Sequence, residues 1–384
     1  RVLQDNFAGI RVVRAFVSQR RERQRAEAHI DGLQMQMMKI ARLSSLLNPM
    51  TALVLNMAVV LLLYQGVWQI GEGMIAPGVI VAFINYAASI LTALVALSNL
   101  IVIFTRAAAS AQRVNEVLEH VPSMRDGEDR VLHLCPQEAI RFDHVCFSYG
   151  EGEDALSDLD LTIRTGECIG IIGGTGAGKT TMIHLLSRFY DTGKGRVLLY
   201  GQDVRTIAHQ KLCAEVVSVP QINELFYGTI RENVCFGKKH VSDADIWQAL
   251  QDAQAADFVK EMKKGLDARV ERGGANLSGG QRQRLCIARA LLRKPSILIL
   301  DDSCSALDFK TDAALRHALR KHYGDSTRLI VSQRVSTLLN CDRILVLQDG
   351  RMAGFDTHER LYETCAVYRN LCQTQKIEKE VMHA

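Results

Sequence analysis

The sequence predicts a multi-domain protein: an all-α transmembrane fragment of two membrane helices, followed by an α/β domain. Three observations predict it. No charged residue stands between Arg42 and Glu72, or between Glu72 and Arg106. A short apolar strand, Ile169-Gly170-Ile171-Ile172, runs into a glycine-rich turn, and Met182-Ile183-His184-Leu185-Leu186 continues at helical spacing. Around that turn lie short alternating apolar segments, the pattern of strands.

Composition sets the outer bounds. At 384 residues the chain is long enough for two domains with sizeable cores. A net charge of +4 does not argue for nucleic acid. The 10 cysteines form no C-x-x-C pair and read as small buried hydrophobes in a reducing cytosol. The chain opens on Arg1 without methionine or signal peptide, so a piece of a longer polypeptide is expected.

Residues 1–42 read as one long, basic, cytoplasmic helix. Ile10, Val13, Phe16 and Val17 recur at helical spacing, and Arg20, Arg21, Arg23 and Arg25 are interleaved with Glu22 and Glu27. That interleaving favours a solvated face over a nucleic-acid contact. The uncharged stretches each exceed the roughly 20 residues that cross a bilayer, with spans expected at about 49–64 and 79–104. Tyr64 and Trp68 suit the interface, and Gly71, Gly73, Pro77 and Gly78 mark the turn. Basic residues flank the outer ends of the pair while the loop holds only Glu72, so both ends face the cytoplasm. Asn56, Asn85, Ser89 and Asn99 lie in the spans, where hydrogen bonding to neighbouring helices is the commoner use. The membrane part is set at 1–121, an unpatterned charged linker at 122–138, the cytoplasmic domain at 139–372 and a tail at 373–384.

The glycine-rich turn carries the chemistry. Gly173-Gly174-Thr175-Gly176-Ala177-Gly178-Lys179-Thr180-Thr181 is the P-loop pattern in its required strand–turn–helix setting. Glycines let backbone N–H groups close around phosphate oxygens, Lys179 is a point charge for the outer phosphates, and Thr180 offers a hydroxyl to magnesium. ATP and Mg2+ are therefore the expected ligands.

Later motifs resemble one family. Leu277-Ser278-Gly279-Gly280-Gln281-Arg282-Gln283-Arg284 resembles the signature sequence of ATP-binding cassette (ABC) transporters. Ile297-Leu298-Ile299-Leu300-Asp301-Asp302 follows as a Walker B strand. Val219-Pro220-Gln221 resembles the Q-loop, Ser305-Ala306-Leu307-Asp308 the D-loop, and Phe147-Ser148-Tyr149 the adenine-stacking A-loop. The resemblance covers nearly all of the segment from Ala139 to about Leu371, and implies a P-loop NTPase cassette with a helical signature subdomain. The hairpin is similar to the last two of the six helices of an exporter half, which leaves four expected before it. Gly9 to Phe16 resembles the segment after the second cytoplasmic loop of that family.

The resemblance also implies roles. Tyr149 would stack on adenine; Gln221, Thr180 and Asp301 would serve magnesium, directly or through water. Ser278, Gly279, Gly280 and Gln281 would meet the γ-phosphate of ATP held by an opposite cassette. Val270-Glu271-Arg272-Gly273-Gly274 resembles the exporter loop that touches a partner's membrane domain, and reads equally as a turn before a helix.

Two positions depart from the family pattern. The residue after the Walker B aspartate, usually the glutamate that polarises water, is Asp302. The switch position, usually histidine, is Gln333 in Leu329-Ile330-Val331-Ser332-Gln333-Arg334. A lost methylene withdraws a carboxylate by on the order of 1 Å, and glutamine carries no imidazolium charge. His317, His322 and His358 stand outside the switch motif and read as surface or capping residues. The expectation is one half of a heterodimeric exporter in the plasma membrane, of multidrug type, with a hydrolytically impaired site of its own. A partner half would carry the missing glutamate and histidine. A sluggish homodimer, a regulatory nucleotide-binding subunit and a soluble cassette ATPase of DNA repair or translation are the rivals. The transported substrate is not readable.

Overall fold

The computed structural model describes residues 9–128, 137–150, 152–238, 240–302 and 307–375. They fall into two compact units, Arg1–Val121 and Pro122–Ala384.

The first unit is helical: α1 (Ile10–Ala15), α2 (Gln19–Gly71) and α3 (Pro77–Leu118). The single basic helix expected before residue 42 is corrected here, because α1 and α2 are separate. Val17 takes a left-handed φ of 51°, and Ser18 stands at the start of α2 with Glu22 in its first turn. A Ser with an acid behind it is a helix start, and it outweighs the apolar periodicity that runs across the break. The arginines are partly paired, Arg23 with Glu27 at 2.9 Å and Arg25 with Glu22 at 3.9 Å.

Pro49–Gly71 and Pro77–Leu97 are long and apolar enough to cross a bilayer, and only 6% and 0% of their most apolar windows are buried. The core helices of a soluble protein would be mostly covered; these present Leu53, Val60, Ile90 and Leu94 outward. Gly66 lets Ile80 of the neighbouring helix approach closely, since a side chain there would meet it at 2.3 Å. At the turn, Trp68 Nε1 donates to Glu72 at 3.0 Å, Gly73 takes φ +71° and Pro77 opens α3.

The second unit begins with two sheets. Strands β1 (Ile140–Phe147) and β2 (Leu156–Ile163) precede β3 (Cys168–Gly173) and helix α4 (Lys179–Leu186). Next come β4 (Lys194–Leu199), β5 (Gln202–Asp203), α5 (His209–Glu215) and β6 (Val216–Val219). A helical arm follows, with β7 (Gly228–Thr229), α6 (Ile230–Val234), α7 (Asp243–Asp252), α8 (Ala256–Glu261), β8 (Arg269–Val270) and α9 (Gly279–Leu291). The chain returns through β9 (Ile297–Asp301), α10 (Phe309–His322), β10 (Thr327–Val331), α11 (Val335–Leu338), β11 (Arg343–Gln348) and β12 (Arg351–Asp356). It closes with α12 (His358–Thr364) and α13 (Ala366–Thr374).

One sheet is antiparallel in the order β2-β1-β4-β5; the other runs β12-β11-β3-β10-β9-β6, parallel except for β12. Strands β3, β9 and β10 are buried along their whole length, as parallel strands covered on both faces are. Helix α4 places Met182, Leu185 and Leu186 in the core between the sheets, while Leu285, Ile287 and Leu291 of α9 join the core on the other face.

The expected linker is tied down at 125–128. Glu128 N–H donates to Thr206 O at 3.1 Å, Asp126 accepts from His209 N–H at 2.7 Å, and the buried Arg188 donates to Arg125 O at 2.6 Å. Four of the eight described cysteines are fully buried and four half-buried. His322 and His358 are less superficial than expected: each binds an inner partner, Asp252 at 2.8 Å and the Tyr368 hydroxyl at 2.8 Å. Asp252 and Tyr368 are buried, so these imidazoles satisfy core polar groups rather than solvent-facing caps.

Candidate active site

Register brings the site together. Val331 of β10 lies level with Asp301 of β9 and Ile171 of β3, and Val219 of β6 pairs with Leu300. The carboxyl ends of four adjacent parallel strands therefore open onto one edge, where open α/β sheets hold ligands. The P-loop leaves β3 there, Asp302 leaves β9, Gln333 leaves β10 and Gln221 follows β6. A cavity of about 150 Å³ joins Lys179, Thr180, Gln221, Asp301, Asp302 and Gln333. That is room for phosphate-sized groups and a few waters.

The loop geometry explains its glycines at two positions. A side chain on Gly173 would meet Leu347 O of the paired strand at 2.3 Å. Gly178 holds φ +95°, and a side chain there would strike Leu156 and Ala155 O at 2.7 and 2.8 Å. Gly174 and Gly176 face open space, so backbone N–H groups can be approached closely. Lys179 Nζ donates to the carbonyls of Gly173 at 2.8 Å and Gly174 at 2.7 Å, across the mouth of the loop. Thr181 is buried, and Ala177 packs into the core.

The charges at this edge are out of balance with ordinary water. Burial pushes the Asp301 carboxyl up, its neighbour Asp302 pushes it further, and Lys179 pulls it back. Burial also raises Asp302, against Lys179 and Arg334. Burial lowers Lys179, while the two aspartates oppose that shift. Two desolvated carboxyls beside one desolvated ammonium suit a divalent cation together with an anion. Thr180 and Gln221 add neutral oxygens from the same cavity. This donor set fits hydrated magnesium, which binds few carboxylates and keeps its waters. Asp302 sits at φ 47° with its N–H donating to Val331 O at 3.0 Å, a conformation aspartate tolerates better than most residues.

Tyr149 stands 56% exposed at the rim. Its hydroxyl donates to Thr181 Oγ1 at 3.2 Å, and its ring meets Phe147 and Tyr190 edge-on at 5.0 and 5.2 Å. The sequence reading missed Tyr190 and His184, whose Nδ1 lies 3.4 Å from that hydroxyl; nothing in their spacing marks them. It missed Arg334 as well, a residue already inside the quoted switch motif.

The signature residues sit elsewhere. Ser278 Oγ accepts from Gln281 N–H at 3.2 Å, and the Gln281 side chain accepts from Ser278 N–H at 2.9 Å, a reciprocal capping box at the start of α9. Ser278 stands exposed at this helix start. Gly279 adds open space beside it. Among the described residues, none from Ser278 to Gln281 lines the P-loop cavity. Asp308 caps α10, accepting from Thr311 N–H at 2.9 Å; Ser305 and Ala306 of the expected D-loop lie outside the described residues. Glu271 to Gly274 form a short turn, pinned by Asn276 accepting from Glu271 N–H at 2.9 Å. A larger cleft of about 520 Å³ lies beside β6, lined by Val217, Pro220, Phe226, Cys286 and Arg289. Its walls mix apolar groups with Glu224, Arg289 and Arg293.

A P-loop at a parallel sheet edge, a Walker B aspartate beside it and a separate capped signature helix define an ATP-binding cassette. Comparison with known proteins extends this. Residues 156–305 match the family model described as ABC transporter, and residues 1–95 the ABC transporter transmembrane region. The chain is 35% identical to an uncharacterised ABC transporter ATP-binding protein of Mycobacterium tuberculosis, over 99% of this chain and 66% of that protein. It is 32% identical to an ATP-dependent lipid A-core flippase of Syntrophus aciditrophicus, over 99% of this chain and 63% of the flippase. It is 33% identical to a fatty acid ABC transporter ATP-binding/permease protein of Mycobacterium bovis, over 95% and 58%. The structure of a bacterial Atm1-family ABC exporter with ATP bound superposes with a TM-score of 0.87 at 28% identity, covering 98% of this chain and 66% of that one. The chain belongs to the ABC transporters whose membrane domain is fused to the ATPase cassette. It is an integral membrane protein with its cassette in the cytoplasm, and it spans 58–66% of the length of these relatives.

Proposed function

We propose that this chain is part of one half of an ABC exporter in the plasma membrane, pairing with a different half, and that its own P-loop site binds Mg-ATP but hydrolyses it slowly. The observation that carries the reading is the pairing of Asp302 and Gln333 in the cavity that also holds Lys179. Both residues differ from the glutamate and histidine that orient water and γ-phosphate in the family. The signature cap, in contrast, keeps every feature needed to complete a partner's site.

In this reading the P-loop N–H groups and Lys179 bind the phosphates, Tyr149 takes the adenine and Ser278 donates to the γ-phosphate on the opposite cassette. Magnesium, when bound, would neutralise phosphate charge between Thr180, Gln221 and Asp301. Closure of two cassettes over two nucleotides would bias the membrane helices outward, and hydrolysis mainly at the partner's site would reset them. Two relatives are named for lipid A-core and fatty acid, which supports a hydrophobic cargo. A slow homodimer is the second reading, favoured by Asp302 still reaching the same cavity as Lys179.

ATP turnover of the full chain tests this, with Asp302→Glu and Gln333→His introduced together. A gain of roughly 10- to 100-fold is expected, the range that water orientation and general-base positioning supply. Brisk turnover by the unaltered chain would favour the homodimer.

A further inference from the structure

The loop that carries Gln333 is fastened from the far end of the chain. Strand β10 ends at Val331, and α11 begins four residues later at Val335. Helix α11 has four residues, and Arg334 at its N-cap makes no side-chain capping bond. The missing partner comes from Gln375, at the C-cap of α13. Its Oε1 accepts from Val335 N–H at 2.8 Å, and its Nε2 donates to Gln333 O at 2.7 Å. One planar amide thus grips the backbone on both sides of Arg334.

The grip stands on a fixed base. Tyr368 and Cys372 of α13 are fully buried, and the Tyr368 hydroxyl bonds His358. Within the loop, Ser332 Oγ accepts from Arg334 N–H at 3.0 Å. With the carbonyl of residue 333 and the N–H of residue 335 both held, the two peptide planes that follow Gln333 are restrained. Gln333 lines the P-loop cavity from this restrained segment.

We infer that Gln375 is a positioning residue for Gln333: the end of the C-terminal helix holds the switch loop in the register that presents Gln333 to the outer phosphate. This rests on the reading above that Gln333 occupies the switch position of this chain's own nucleotide site, where its amide can hydrogen-bond a γ-phosphate. The chemistry singles out glutamine, because the grip needs a donor and an acceptor on one flat group. Glutamate at 375 keeps the acceptor but sets a carboxylate against the Gln333 carbonyl.

Single-turnover hydrolysis, with the full chain in excess over radiolabelled ATP, makes a slow site readable. Gln375→Ala and Gln375→Glu are each expected to slow it by about 10-fold, the scale of a sub-ångström misplacement, with ATP affinity within about twofold. In the Gln333→Ala background, Gln375→Ala should add nothing, as for two residues acting through one interaction. Hydrogen exchange of the 332–338 peptide should quicken by roughly 10-fold in Gln375→Ala as local opening becomes easier. Unchanged exchange and turnover in Gln375→Ala overturn the proposal. Equal slowing with and without Gln333 overturns it too, because Gln375 would then act through general folding. If Gln333→Ala slows turnover and Gln375→Ala does not, the positioning role alone falls. If Gln333→Ala turns over like its parent, the functional reading of Gln333 fails first and takes the positioning role with it.

Discussion

The cassette has two ends that the proposed function sets against nucleotide, and they are built on opposite terms. The P-loop end collects charge at a sheet edge: Lys179, Asp301 and Asp302 are desolvated together, Lys179 opposes the rise of both carboxyls, and Asp302 adds to that of Asp301. The signature cap itself, Ser278 to Gln281, carries none. Ser278 and Gln281 satisfy one another's backbone at an exposed helix start. Charges in a partly buried cluster work only if strand register holds them; a capped helix needs only its first turn. The P-loop end can therefore lose a methylene at Asp302 without disturbing the signature end, and the two halves of a site can change independently.

Removing the central charge should have the largest effect. Lys179→Ala leaves the carboxyl pair without its cation and the phosphates without theirs. ATP affinity should fall by about 10²- to 10³-fold, the usual loss when one partner of a buried charge pair is truncated. Fluorescent-ATP titration measures it, and affinity within threefold of the parent would break the contrast. The gain from Asp302→Glu with Gln333→His comes next in size.

Ser278 sharpens the contrast from the other side. Ser278→Ala removes one arm of the capping box and should cost about 1 kcal/mol of stability. Ser278→Asp keeps a capping oxygen, so its stability should stay near the parent's, but it sets a negative charge where a partner's γ-phosphate would come. If the signature serves in trans, Ser278→Asp in this chain lowers turnover at the partner's P-loop while ATP affinity at this chain's own P-loop is unmoved. Loss of that affinity would contradict the separation.

Much of this was legible in the sequence because local chemistry marks it. The P-loop, the Walker B strand and the two uncharged stretches are contiguous, and each has a physical reason to keep its composition. What escaped was non-local or cut across a pattern. The break at Val17 lies inside an unbroken apolar period, so periodicity alone runs through it. Gln375 grips a loop that lies 42 residues upstream along the chain, and no spacing rule joins an amide at a helix end to a carbonyl in a distant loop. Tyr190 and His184 meet Tyr149 across the P-loop, 35 residues apart in the case of His184, a separation no periodicity spans.

The smallest effect concerns pH. Both Asp301 and Asp302 hold their protons more tightly in the folded cassette than an exposed aspartate does, chiefly through burial. Folding therefore takes up protons, and the carboxyls' contribution is fully favourable below the ordinary aspartate value and lost as pH rises through their raised values. Above their raised values the nucleotide-free cassette carries the cost of keeping both ionised. Asp301→Asn removes one carboxyl while leaving the rest of the acid response in place, so the difference between parent and variant isolates it. Followed by tryptophan fluorescence without nucleotide, Asp301→Asn should melt higher than the parent at pH 8, and the gap should close as pH falls toward the ordinary aspartate range. Saturating Mg-ATP should reverse the order, since ligand that binds only the folded state stabilises the chain able to hold it. A parent that melts above the variant at pH 8 without nucleotide would mean the carboxyls are held by partners rather than strained by burial, and the P-loop end would then resemble the signature end.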